Sequence, residues 1–190
     1  MIGRKCKVSA EKIVKYCSPT LAGLKTGSMF NCEFENEQQM IKSIRSWNKI
    51  LGKKGIRMVF LRYHNNNALI YIYRPNQLFN DIQGDIAAKI LIERGYSVSV
   101  PQCCLVQLIK RISQSEEFPH EIGLFLGYPP EDVCGFIENK AKCFKCIGTW
   151  KVYGDEEKAK NLFEKYRACT DVYCNEIAMG KAIESLIISS

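Results

Sequence analysis

The chain has 190 residues, of which 46% are hydrophobic, and a formal net charge of +7 at pH 7. This length and apolar content suit one folded domain and argue against a disordered chain. The charged first residues argue against a signal peptide, and no apolar run approaches the roughly 20 residues of a membrane span. We therefore expect a cytoplasmic protein with a single domain over residues 1–190 and no membrane partner.

The positive charge is concentrated in the first third of the sequence. Residues 1–60 hold 12 Lys and Arg against 4 acidic residues, whereas the remaining 130 residues hold 15 against 16. Such asymmetry is typical of a surface for nucleic acid, phosphate or an acidic protein, although a solvated basic helix face gives the same pattern. No nucleic-acid-binding module signature accompanies it, which makes nucleic acid the weakest of the partner hypotheses without excluding it.

Helix and loop signals dominate the first 55 residues. We predict a helix over residues 10–16 that ends at Ser18 and Pro19, followed by a glycine-containing loop over residues 21–30. A clear amphipathic helix is predicted from residue 36 to 51, stopped by Gly52, because four apolar residues share one stripe: Met40, Ile44, Trp47 and Leu51.

Strand signals follow, at residues 56–63 and 68–74. Asparagines between them tolerate turn conformations, so this segment predicts a β-hairpin. Pro75 ends the second strand, and apolar residues at helical spacing predict a helix over 78–91, capped by Gly95. A short strand at 96–100 that joins the sheet and a helix over 103–113 are predicted next.

The last 70 residues predict short elements and then helices. Pro119 and Pro130 each suit the first turn of a short helix, and residues 149–153 predict a strand. Asp155 is a good N-cap for a helical C-terminal piece over 155–188, whose final helix carries the stripe Val172, Ile177, Ile183 and Leu186. Without βαβ alternation, the order favours an α+β fold: a small, mainly antiparallel sheet, made of the 56–74 hairpin and the strand near 149–153, covered by several helices.

The block from Phe118 to Tyr153 concentrates His, acids, glycines, prolines, cysteines and a Trp. It reads FPHEIGLFLGYPPEDVCGFI and, after a cysteine-containing segment, GTWKVY. These two stretches resemble an uncharacterised family of small cytoplasmic proteins from anaerobic Firmicutes, the domain-of-unknown-function family 3793. The resemblance extends from about Pro19 to Tyr166 and implies no particular reaction.

The resemblance implies a shared site built from the residues that match the family pattern and carry reactive groups. Within that set, His120 or Glu121 is the candidate catalytic proton carrier, because imidazole titrates near neutral pH and a carboxylate beside it adjusts that titration. Lys25 and Lys151 are the candidate anion-binding residues. Tyr128, Glu131 and Asp132 complete the set, although acids at the start of a helix also act as ordinary caps.

Ten cysteines would indicate a disulfide scaffold in a short exported chain, but no export signal is present. They are better interpreted as thiols, metal ligands or buried apolar residues in a reducing or anaerobic cytoplasm. Cys143 and Cys146 have the C-x-x-C spacing that lets two thiolates hold zinc or iron, or form a reversible disulfide. The family resemblance implies recurrent cysteines at the positions of Cys146 and Cys169, and Cys169 completes the candidate metal set.

Three functions are compatible with these features. The first is an accessory or binding protein in metal, iron or thiol handling. The second is an enzyme that acts on a small anionic substrate, with a cleft around His120, Glu121 and Lys151. The third is an interaction module for nucleic acid or an acidic protein. Whether the protein is an enzyme is left open, as is its cofactor, for which zinc and iron are the candidates.

Overall fold

A computed structural model describes residues 8–115 and 117–189, so the first seven residues of the predicted basic third lie outside the described residues. The helices are α1 (Ala10–Leu21), α2 (Glu37–Leu51), α3 (Pro75–Gln83), α4 (Asp85–Glu93), α5 (Pro101–Gln114), α6 (Ile122–Phe125), α7 (Pro130–Glu138), α8 (Glu156–Ala178) and α9 (Ile183–Leu186). The strands are β1 (Gly27–Glu33), β2 (Arg57–His64), β3 (Asn67–Tyr73), β4 (Cys146–Ile147) and β5 (Lys151–Val152). Helices around small antiparallel sheets confirm the predicted α+β class.

The fold has two compact units. The first unit consists of two chain segments, one that ends at Arg74 and one that begins at Thr170. The second unit spans Pro75–Cys169. The boundary between Cys169 and Thr170 falls within α8. In the described part of the chain, no helix is both long enough and apolar enough to cross a membrane.

A three-stranded antiparallel sheet in the order β1-β3-β2 forms the centre of the first unit. The predicted hairpin is confirmed: β2 and β3 are joined through Asn65 and Asn66, whose φ angles of 47° and 59° are left-handed values that asparagine tolerates. Apolar side chains of α1 and α2 share one buried cluster with those of the sheet, among them Ile13, Val14, Met40, Ile44, Phe30, Ile70 and Ile72.

Two predictions at the start of the chain are wrong. The predicted loop over 21–30 contains most of β1, which pairs with β3 from Gly27 opposite Tyr73 to Glu33 opposite Asn67. The first helix continues through Pro19 to Leu21: the proline removes only one helical hydrogen bond, and its own carbonyl accepts from the backbone N–H groups of Leu24 and Lys25.

Three further differences concern the second half of the chain. Residues 96–100 form no strand, and the predicted 78–91 helix is two helices, since Gly84 leaves helical geometry to cap α4. The strand near 149–153 exists as β5, but it pairs with β4 in a separate two-stranded sheet rather than with the 56–74 hairpin. Val172 and Ile177 belong to α8, whereas Ile183 and Leu186 belong to α9.

Candidate functional site

A cavity of about 330 Å³ lies in the second unit, between the segment that leads into α6, helix α7 and the β4–β5 hairpin. Most of its wall is apolar or aromatic: Phe118, Pro119, Ile122, Val133, Phe136, Ile147 and Trp150. Polar groups reach it from His120, Tyr128, Asp132, Thr149 and Lys151. The size and the mixture of apolar walls with a few polar groups are those of a small-molecule site.

Asp132 attaches the hairpin to α7. Its carboxylate is buried and accepts three hydrogen bonds: from Trp150 Nε1 at 2.6 Å and from the backbone N–H groups of Tyr153 and Gly154, each at 2.7 Å. A buried carboxylate with this many donors is a fixed structural acceptor. Asp132 therefore positions Trp150 in the cavity wall, whereas Glu131, its exposed neighbour, lies in the first turn of α7.

Aromatic packing fixes the orientation of Trp150. Its ring stacks on Tyr128, with centroids 4.7 Å apart, and meets Phe163 of α8 edge-on at 4.5 Å. The Tyr128 hydroxyl donates to the Thr149 carbonyl at 3.4 Å, and burial raises the pKa of Tyr128 to about 12. Tyr128 thus remains a protonated hydroxyl at neutral pH and contributes shape and a hydrogen bond rather than a charge.

Two glycines permit this close approach. A Cβ at Gly135 would lie 2.5 Å from the side chain of Tyr153, and a Cβ at Gly148 would lie 2.3 Å from the ring of Phe163. Real Cβ contacts are longer than this, so the hairpin packs this tightly against α7 and against Phe163 of α8 because these positions lack a side chain.

His120 and Lys151 supply the basic groups of the cavity. The exposed His120 ring meets Phe136 edge-on at 5.2 Å. Lys151 Nζ donates to the Ala141 carbonyl at 2.8 Å and lies 4.9 Å from the centroid of Phe144. An ammonium group has three N–H bonds, so this contact leaves donors for a ligand.

Glu121 follows His120 in sequence but has different neighbours. Its buried carboxylate accepts from the Tyr96 hydroxyl at 3.0 Å and lies 3.4 Å from Arg94 Nη1 and 3.8 Å from Arg111 Nη1. Burial, together with the Glu121 carboxylate, raises the pKa of Tyr96 far above its ordinary value and keeps that hydroxyl a donor. Glu121 thus belongs to an ion-paired cluster with Arg94 and Arg111. This cluster lines a second, more polar cavity of about 400 Å³.

The two cavities share one wall, the segment from Phe118 to His120. His120 borders both cavities, whereas Glu121 borders only the second and Lys151 only the first. The structure therefore brings His120 and Lys151 together at one cavity, while the catalytic role of His120 and Glu121 stays a prediction.

Lys25 lies in the other unit, just after α1. Its side chain is buried, and burial lowers its pKa to about 8. Burial also raises the pKa of the Cys17 thiol, which is fully buried in α1 and interacts electrostatically with Lys25. Anion binding by Lys25 stays a prediction.

The candidate cysteine ligands occupy different environments. Cys143 is exposed in a turn with a left-handed φ of 58°, Cys146 is half-buried in β4, and Cys169 is half-buried in α8, where burial raises its pKa. Across residues 8–115 and 117–189, no three His, Cys, Asp or Glu side chains gather in a group that could hold a metal ion. The nine cysteines in these ranges are free thiols.

Several residues of the site have no signal in the sequence. Tyr96, Arg94 and Arg111 meet Glu121 from 10 to 27 positions away. Phe136 and Phe163 have ordinary core spacing on their helices, so only the fold reveals that they face His120 and Trp150.

Comparison with known proteins supports the resemblance carried by the two motifs. A family model described as "Protein of unknown function (DUF3793)" matches residues 13–187, which include both cavities and the central sheet. No match is found among curated proteins or among solved structures. Because the match covers nearly the whole sequence, the chain belongs to the DUF3793 family.

Proposed function

We propose that this protein binds a small, flat, apolar molecule that carries an acidic group, in the 330 Å³ cavity beside Trp150. The observation that carries this proposal is the aromatic wall with two basic side chains at its border, His120 and Lys151. The apolar part of a ligand gains by leaving water against Phe118, Phe136 and Trp150. Its acidic group pairs with Lys151.

A binding role is favoured over catalysis because the carboxylates near the cavity are engaged in internal hydrogen bonds and ion pairs. Proton transfer usually needs an acid and a base that both reach the reacting atoms. Asp132 uses its carboxylate for three internal hydrogen bonds, and Glu121 is bonded to Tyr96 and paired with arginines. Of the two candidate proton carriers, His120 and Glu121, His120 alone borders this cavity, which supports a binding role first.

The cavity, rather than the cysteines, carries the proposal. A metal or iron role would need several ligands brought together, and the described residues offer no group of three or more His, Cys, Asp or Glu side chains that could hold a metal ion. The cavity in contrast has a defined wall, a fitting size and a matched pair of basic groups.

Trp150 provides the test, because the chain has two tryptophans and the other, Trp47, belongs to α2. In a Trp47→Phe variant, selectively excited tryptophan emission reports on Trp150 alone. We would titrate this variant with phenylacetate and 3-phenylpropionate, then with a library of aromatic carboxylates and their neutral amides. Saturable changes in Trp150 emission are expected for a subset of the acids, with weaker binding of the matching amides.

Lys151→Met is expected to weaken binding of the acid about tenfold, because it removes one ion pair worth roughly 1.4 kcal/mol. Binding of the neutral amide should be unchanged. Lys145→Met is the matched control, since it removes the same charge and a similar bond, Lys145 Nζ to the Gly154 carbonyl. Equal binding of acids and amides, equal effects of both variants, or no saturable response in the library would each contradict the proposal.

A further inference from the structure

One stretch of the sequence contains no acidic residue, and this stretch plays no part in the cavity. Between Glu37 and Asp81 no Asp or Glu occurs, whereas eight Lys and Arg residues do. Six of these basic residues belong to α2, to the turn that follows it or to the first position of β2: Lys42, Arg45, Lys49, Lys53, Lys54 and Arg57. We call these six residues the basic face.

The packing of α2 directs part of this set outward. Met40, Ile44 and Leu51 are buried in the first unit's core, and the Asn48 side chain bonds the backbone of Met58 in β2 through two 2.8 Å hydrogen bonds. At about 100° per residue, Lys42, Arg45 and Lys49 fall within about 60° of one another on the opposite side of the helix. All three are exposed.

The turn after α2 extends the same surface. Lys53 and Lys54 belong to the 3-10 turn Gly52–Lys54, and the Arg57 guanidinium lies against Gly52, with Nη1 3.0 Å from where a Cβ would be. None of the six cations forms a salt bridge with any residue that the structure describes. The basic face is therefore a concentration of uncompensated positive charge.

The spacing of the cations suits a nucleic-acid strand. Lys42, Arg45 and Lys49 cover about 10 Å of helix axis, over which one strand of B-DNA carries about three phosphates. Cations that neutralise phosphates release condensed counterions, which provides affinity without any base contact.

The chain segment that carries the basic face favours nucleic acid over an acidic protein. In the described structure, no large apolar side chain between Lys25 and Leu78 is exposed. Protein interfaces depend on buried apolar or aromatic anchors, and lysine is depleted in them. Binding to a phosphate backbone needs cations alone.

We infer that the basic face binds the phosphate backbone of nucleic acid, without sequence preference. This activity is separate from the cavity and does not depend on it. Its strength should fall steeply with salt, because it rests on counterion release.

The experiment is fluorescence anisotropy of the full chain with fluorescein-labelled 20-nucleotide single strands and 20-base-pair duplexes of two unrelated sequences. The variant combines Lys42→Gln, Arg45→Gln, Lys49→Gln and Lys53→Gln. Glutamine has nearly the same helix propensity as lysine and arginine, so the fold should be kept, which circular dichroism checks. We expect sequence-independent binding by the wild type and at least a tenfold loss in the variant, with the slope of log K against log salt smaller by about 3.

The control removes four charges from the other unit: Lys89→Gln, Lys110→Gln, Lys158→Gln and Lys165→Gln, all at exposed positions. Both variants have the same net charge, so equal losses in the two would overturn the inference in favour of a general charge effect. An unaffected basic-face variant, an absence of nucleic-acid binding, or binding of poly-L-glutamate in place of nucleic acid would overturn it as well.

Discussion

At the scale of single residues, the family motif is explained largely by structure. Asp132 is the clearest case, since its carboxylate accepts from the buried indole N–H of Trp150 and from the half-buried backbone N–H groups of Tyr153 and Gly154. Glu121 has a comparable role toward Tyr96 and Arg94. Reactive side chains in a motif can thus maintain the shape of a site without taking part in its chemistry.

Asp132→Ala should lower the free energy of unfolding by about 3 kcal/mol, because the buried Trp150 donor left without its charged acceptor costs about 1–3 kcal/mol and the two half-buried backbone donors add less, since water can reach them. Urea denaturation of the two proteins measures the difference. Glu131→Gln is the control: its side chain is exposed, so we expect a change within about 0.5 kcal/mol. A similar loss in both variants would show that the Asp132 network is not the cause.

Lys25 predicts a pH dependence of stability. Burial lowers its pKa to about 8 from an ordinary value of 10.5, so between these values the unfolded state binds more protons than the folded state. Raising the pH through this window therefore stabilises the fold, by about 3 kcal/mol in total. Below pH 8 the amine is charged in both states, and the contribution of Lys25 is constant.

Cys17 acts in the opposite direction, because burial raises its pKa and stability is then lost as the pH rises above 9. The measurement therefore uses a Cys17→Ala background and compares it with Cys17→Ala/Lys25→Met by urea denaturation from pH 7 to 10.5. The stability advantage of the double variant should shrink as the pH rises. A difference independent of pH would mean that Lys25 has an ordinary pKa in the folded protein.

At the scale of elements, the close contact between α7 and the β4–β5 hairpin depends on glycine. Alanine is the better helix former by about 1 kcal/mol, yet Gly135→Ala should destabilise the protein by roughly 1–3 kcal/mol, since the new Cβ would overlap Tyr153. Thermal and urea unfolding measure this. Gly84→Ala, where the nearest atom is 3.6 Å from a new Cβ, should stay within about 1 kcal/mol. A neutral Gly135→Ala would show that the hairpin can move away at little cost.

Elements with a strong local pattern could be predicted from the sequence, and those that depend on distant partners could not. The α2 stripe and the β2–β3 hairpin carry their own signals: four apolar residues at helical spacing, and asparagines at left-handed positions. Strand β1 has a weaker pattern, with Gly27 and Ser28 among its buried residues, and its pairing with β3 joins residues about 40 positions apart. For the same reason the motif located the cavity region, but not the partners of Glu121 and Trp150.

At the scale of the whole molecule, helix α8 contributes to the cores of both units. Ala159 and Tyr166 pack with Trp150 in the second unit, and Tyr173 and Ile177 pack against the core of the first. A helix gains most of its stability from packing, so loss of either core removes support from one half of α8. This sharing favours a single cooperative unfolding transition, in keeping with the single domain predicted from the sequence.

The two tryptophans allow that prediction to be tested, because Trp47 reports on the first unit and Trp150 on the second. In Trp47→Phe and in Trp150→Phe, the emission of the remaining tryptophan and the far-UV ellipticity of the same variant should give one urea midpoint. Comparison within each variant matters, since Trp150→Phe also leaves Asp132 without one of its donors and shifts its own midpoint. Emission and ellipticity curves that separate in either variant would mean that the two units unfold independently, with a break in α8 near the boundary at residue 169.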